Sequence, residues 1–228
     1  MNGNGSFFLF APPRIRTPGT CTALGQSTRF IATVHPNVPP FEFRVHVLKE
    51  GEGLAEGAGL IDRIDIRSEG RNVQTIRFAG EDAPIVYAPE EAVSVKDVDC
   101  DGYKDLLVRI TVGVHGDTWY HLFRFNRARG KFVAYPPFSK LPLQEVDCRS
   151  KTIKTYVNSG AAGCAYETGV YRWVNGSLSP SRIEEQTVAE DGTVTRTTRS
   201  WPNGKETVRK EQFNLNTDDN CHRADGGP

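Results

Sequence analysis

The chain has 228 residues, enough to bury a real core in one all-β domain with tails or in two small lobes. Its 28 basic and 28 acidic residues balance, so no electrostatic footprint points to nucleic acid or to a membrane surface. No apolar run approaches the length of a transmembrane span.

Residues 1–38 are rich in Gly, Pro, Ser and Thr and read as an irregular or leader-like segment. Phe7 to Ala11 is apolar, but two prolines follow it and no basic residue precedes it, so it makes a poor secretory signal. Cys21 stands where a lipoprotein cysteine would, yet Thr17-Pro18-Gly19-Thr20 lacks the apolar character of a lipobox. From Phe41 the pattern changes. Phe41, Phe43, Val45 and Val47 alternate with Glu42, Arg44 and His46, which predicts a half-buried strand. Leu60 to Arg67 and Val73 to Phe78 predict the next two, joined through Ser68-Glu69-Gly70-Arg71-Asn72.

The run D-V-D-C-D-G-Y-K-D, from Asp97 to Asp105, carries the most chemistry. Carboxylates at Asp97, Asp99, Asp101 and Asp105, with Gly102 for the sharp turn, form the front half of a calcium loop. Four carboxylates this close repel one another unless a cation or solvent relieves them. The loop is no EF-hand, because Val108 occupies the place of the bidentate glutamate and no helical pattern flanks it. The competing explanation is a solvated turn, since Asp and Gly favour turns for their own reasons. A structural calcium is the expectation, with no part in catalysis.

Leu106, Val108, Ile110 and Val112 alternate directly after the loop, so the ion site would open a strand. Trp119 to Phe125 and Lys131 to Tyr135 follow as a hairpin turning at Arg129-Gly130. Asn175-Gly176, Asp191-Gly192 and Asn203-Gly204 each predict a two-residue hairpin turn. Ile183 to about Phe213 is mainly Thr, Glu, Arg and Lys, a polar hairpin extending from the sheet, and 214–228 a flexible tail. No segment sustains a helical period. The expected fold is all-β, an antiparallel meander of sandwich-like or propeller-like sheets, with 39–213 as one domain.

Cys21, Cys100, Cys148, Cys164 and Cys221 include no C-x-x-C pair, which argues against zinc. In an exported protein two of Cys100, Cys148 and Cys164 would bridge, with the connectivity open. In a reducing compartment all five would be thiols.

Catalytic chemistry has little support. His115-Gly116-Asp117 and His121 offer acid–base groups, and an unrecognised hydrolase using them is the least favoured alternative. Neither a nucleophile elbow nor a metalloprotease, P-loop or dinucleotide motif accompanies them. Glu184-Glu185 and Glu90-Glu91 are adjacent pairs whose members point to opposite faces of a strand. No catalytic residue is assigned. Binding asks less of the residues. The loop from Asn158 to Gly163 is small and adaptable, and Tyr166, Tyr171 and Trp173 follow it. Ser159, Gly160, Tyr166, Tyr171 and Arg172 are therefore the candidate partner-binding residues, with Trp173 assigned to the core.

Two resemblances bear on function. D-V-D-C-D-G-Y-K-D-L-L-V resembles the calcium loop of FG-GAP/VCBS-type propeller repeats, but one loop cannot make a full propeller. More broadly, a D-x-D-x-D-G-Y-x-D-L loop, an F-R-F…G-K-F hairpin, a Ser-Gly-rich loop and Y-R-W-x-N-G-S-L, in that order, resemble a bacterial periplasmic family. Its members include immunity lipoproteins against peptidoglycan hydrolases delivered by type IV secretion, and their fold is similar to that of i-type lysozyme inhibitors. The likeness spans roughly Phe41 to Leu178. It implies a periplasmic or extracellular, non-enzymatic inhibitor that inserts a loop into a lysozyme-like cleft. The Ser-Gly-x-Tyr loop of such inhibitors is approached by Thr168-Gly169-Val170-Tyr171 and by Ser159-Gly160. The alternative is a calcium-stabilised adhesion or surface-recognition module.

Overall fold

Strands, short 3-10 turns and no α-helix make up the described residues of a computed structural model, which are 26–48, 57–80, 83–113 and 115–214. The strands form three antiparallel sheets, none closed into a barrel or propeller. The first sheet orders β1 (Gln26–Ala32), β2 (Phe41–Leu48), β3 (Gly59–Ser68) and β4 (Arg71–Arg77), with β5 (Ile85–Val86) also on β3. The middle sheet is β6 (Val93–Lys96), β7 (Asp105–Val112), β8 (Thr118–Asn126) and β9 (Lys131–Ala134). The third runs β10 (Leu143–Asp147), β11 (Thr152–Gly160), β12 (Ala165–Val174), β13 (Ser177–Val188), β14 (Thr193–Ser200) and β15 (Thr207–Asn214). The middle and third sheets are meanders, as the succession of hairpins predicts, and the first is one apart from β5.

The middle sheet lies between the other two. On β7, Leu106 and Val108 face the first sheet, where they meet Phe43, Val45, Ile61, Ile64 and Ile66 in a core of seventeen buried residues. Leu107 points the other way, with Leu122, Val98, Phe138 and Ile153, into a core of five. Both faces of β7 are thus buried, which is why its first half reads as a continuous apolar run. At about 1.5–3 kcal/mol per fully buried large apolar side chain, the first core contributes several times what the second does. Gln74 on β4 adds a tie, donating to Phe132 O (2.7 Å) and accepting Phe132 N–H (2.9 Å) on β9.

Three expectations need correction. Residues 26–32 are a strand, β1, where an irregular segment is predicted. Pairing from Gln26↔Val47 to Ala32↔Phe41 and a Phe30–Phe43 ring stack at 4.9 Å supply what local sequence lacks. The leader reading of 1–25, Cys21 included, and the tail from 215 lie outside the described residues. Asn175 (φ 51°) and Gly176 (φ 77°) make the expected two-residue turn, but Asp191-Gly192 sits in a four-residue loop between β13 and β14. There the Asp191 carboxylate accepts Thr193 N–H (2.9 Å), an Asx turn that needs positive φ at Gly192 alone. Asn203-Gly204 belongs to a 3-10 turn begun by Pro202. Finally, the polar hairpin is no solvated extension. It is β13–β15 of the third sheet, with Val194, Gln186 and Glu184 buried.

Candidate functional site

Chemistry gathers at the two ends of the strands. At one end the Asp loop turns into β7. Asp105 is 1% exposed, its Oδ2 accepting Val98 N–H (3.0 Å) and its Oδ1 accepting Phe125 N–H (2.9 Å). Burial pushes its carboxyl up to about 7, and neighbouring Asp99 and Asp101 push the same way against those two bonds. Asp97 accepts N–H from Asp101 (3.2 Å) and Gly102 (3.0 Å), curling the loop around its side chain. Cys100 (φ 58°) and Gly102 (φ 91°) provide the left-handed bends.

Asp97, Asp99 and Asp105 bring carboxylate oxygens within 4.8 Å of one another. Asp101 stands outside that group. Its Oδ1 accepts Tyr103 N–H (2.8 Å), and burial raises its carboxyl. A close set of three carboxylates, one of them fully buried and reluctant to ionise, fits an oxygen-seeking divalent cation. A cation of the protein's own grips the loop, at a residue the sequence did not single out. Arg124 on β8 grips Asp99 through Nε (2.7 Å) and Nη2, and its Nη1 donates to Gly176 O (3.0 Å). Its guanidinium lies over Trp173 (4.9 Å) and Tyr135 (5.9 Å). Trp173 Nε1 in turn donates to Val98 O (2.9 Å), so loop, β8 and the β12–β13 turn form one assembly. Cys100 is bridged to Cys148 at the same end.

At the opposite end, β11 turns into β12 through a tip at 158–163. Gly160 has φ 109° and ψ −150°, a conformation reserved for glycine. Ala161 (φ 49°) and Ala162 (φ 54°) follow in the left-handed region, at a cost of about 1–2 kcal/mol each. The surroundings hold this strain. Asn158 Oδ1 accepts Gly160 N–H (2.9 Å), Cys164 N–H closes onto Ala161 O (3.0 Å), and Gln186 Nε2 donates to Cys164 O (2.7 Å). Cys164 is itself disulfide-bonded. The neighbouring β7–β8 hairpin reaches across, its nine-tenths buried Asp117 accepting Asn158 N–H at 3.4 Å.

The proposed partner residues do not form one surface. Ser159 is exposed on the tip beside Gly160. Tyr166, 2% exposed, is withdrawn from any surface, because its hydroxyl donates to Glu184 (3.0 Å) inside a polar cluster with Gln186 and Arg196. Burial and that carboxylate push its phenol up to about 12. Arg172 is exposed, but it pairs with Thr152 while Gly160 pairs with Ala165, which separates them by about 23 Å of strand. Tyr171 is half-buried, packed against the second core. The Thr168-Gly169-Val170-Tyr171 spacing has a packing reason: a Cβ on Gly169 would lie 2.6 Å from the Tyr171 ring and 2.5 Å from Thr155 Oγ1. His115 is exposed on the β7–β8 tip, and His121 packs its ring near Phe78 (5.5 Å) and Phe123 (6.4 Å), along a 410 Å³ cleft between the first two sheets.

No protein-family model matches the chain. No curated protein matches it either. Among solved structures, one described as a Xanthomonas type IV secretion system related protein superposes with a TM-score of 0.57 at 12% identity, covering 82% of this chain and all of that one. At that identity the likeness is one of fold.

Proposed function

We propose that this protein is an exported, non-enzymatic inhibitor of a lysozyme-like peptidoglycan hydrolase, of the immunity type. The observation that carries the reading is the 158–163 tip. It is narrow, uncharged and locked before any partner arrives, so little ordering entropy is lost when it enters a cleft. Two further points support it. The Cys100–Cys148 disulfide suits an oxidising compartment. The fold is shared with a protein described as secretion-system related. Asp97, Asp99 and Asp105 would hold a structural calcium, whose charge would offset the carboxylates that Arg124 leaves unpaired.

The test is a peptidoglycan-lysis assay with lysozyme and with hydrolases of the same bacterium. Inhibition at micromolar concentration is expected. Ser159→Glu sets a carboxylate against the acidic cleft and should weaken inhibition tenfold or more without moving the melting temperature. Wild-type protein that leaves every such hydrolase at full rate ends the reading.

A further inference from the structure

The Cys100–Cys148 bridge does more than close a loop. It joins the Asp loop of the middle sheet to the β10–β11 turn of the third, across 48 residues of sequence, where, among the described residues, the apolar core between the sheets is five buried side chains ringed by partly buried ones. Cys148 is exposed and Cys100 half-buried, so the bridge is open to a small reductant. The Asp97 carboxylate lies with both sulfurs in one group whose ligand atoms are all within 4.8 Å. Cys148 Sγ is also 3.6 Å from Asp97 O.

Each side has anchors other than the bridge. On the loop side, Asp97 accepts two backbone N–H groups, Asp99 is held by Arg124, and Trp173 of the third sheet donates to Val98 O. On the turn side, Asp147 accepts Arg149 N–H (2.8 Å) and the Ser150 hydroxyl (2.7 Å). The two sulfurs therefore remain neighbours once the bond between them is broken.

We propose that in the reduced chain Cys100, Cys148 and Asp97 bind a zinc-class divalent cation, which replaces the disulfide as the tie between the middle and third sheets. A dithiol reductant supplies two electrons and two protons, leaving as its own disulfide and giving two protein thiols. The cation then displaces the two thiol protons and forms two metal–sulfur bonds. Thiolates at about 2.3 Å from a tetrahedral zinc stand roughly 3.8 Å apart, a spacing that side-chain rotation reaches with the Cα atoms 5.2 Å apart. Two sulfurs and one carboxylate select zinc, cobalt or a similar metal over calcium or magnesium. The fourth position stays open to water. Asp97 also belongs to the all-oxygen group with Asp99 and Asp105, so filling the thiolate site withdraws one ligand from the other. The proposal stands without the inhibitor reading and without calcium.

The experiment is an anaerobic cobalt(II) titration of the full chain, reduced with a phosphine, followed by visible and near-ultraviolet absorption. One equivalent should raise tetrahedral d–d bands and a sulfur-to-cobalt charge-transfer band, both bleached by zinc. The oxidised chain should show neither, and Asp97→Asn should weaken binding about tenfold. Hydrogen exchange in β10 and the Asp loop, on either side of the bridge and away from the Cys164 disulfide, should rise on reduction and fall again with metal. The double variant Cys100→Ser/Cys148→Ser keeps Cys21, Cys164 and Cys221. Bands that persist in it place the metal on those cysteines and overturn the proposal. So does a reduced chain that stays colourless, or one that unfolds and is not restored by metal.

Discussion

Asp105 shows how one carboxylate can hold a turn and resist its own charge. Folded, it binds a proton more tightly than the unfolded chain does, because burial disfavours the anion. In calcium-free buffer the stability it lends is complete below about pH 4 and is lost as pH rises through about 7, on the order of 4 kcal/mol over that window. Melts from pH 4 to 8 should show the decline, and saturating calcium should remove most of it. The proposed ligand roles separate in the same assay. Calcium at a hundredfold excess over Kd should add about 2.7 kcal/mol to the wild type. Asp97→Asn should lose that gain and Asp101→Asn keep most of it, because Asp101 stands outside the oxygen group. Arg124→Gln should cost about 3 kcal/mol by chemical denaturation, since it strands the buried Asp99 and removes the stack on Trp173. The carboxylate spacing was legible in sequence. Arg124 was not, because nothing local links positions 25 residues apart.

At the scale of elements, alternation predicted β2, β3, β4, β7 and β8 to within a residue or two, because each has at least one apolar face to bury. Short-range turn chemistry transferred less well. Asn175-Gly176 became a two-residue turn, whereas Asp191-Gly192 did not, because an aspartate side chain can close the turn by itself. β1 escaped notice because its partner, rather than its own pattern, makes it a strand. Cross-sheet ties such as Gln74 are equally silent in sequence. Gln74→Ala should leave Phe132 N–H and C=O without their partners and cost about 2 kcal/mol, read as a lower denaturation midpoint.

For the whole molecule, the unequal cores set the order in which it opens. Ile153, fully buried in the smaller core, is the sensitive point. Ile153→Ala should cost about 2–5 kcal/mol and speed hydrogen exchange in β10–β13, leaving β2 and β3 protected. The same truncation at Ile64, in the larger core, should destabilise the first and middle sheets together. The layering also places the Asp loop and the 158–163 tip at opposite ends, so a cation at one would stiffen the scaffold without touching a partner at the other.

Sequence by itself determined the all-β class, most strand positions, the acidic loop and the small-residue tip, because each is written in the period or composition of contiguous residues. Tertiary structure decided the rest. It set Arg124 against Asp99, joined Cys100 to Cys148, left Asp101 outside the oxygen group, buried Tyr166 and parted Arg172 from Ser159. Those outcomes depend on strand register and sheet stacking, which bring together residues that no local pattern relates.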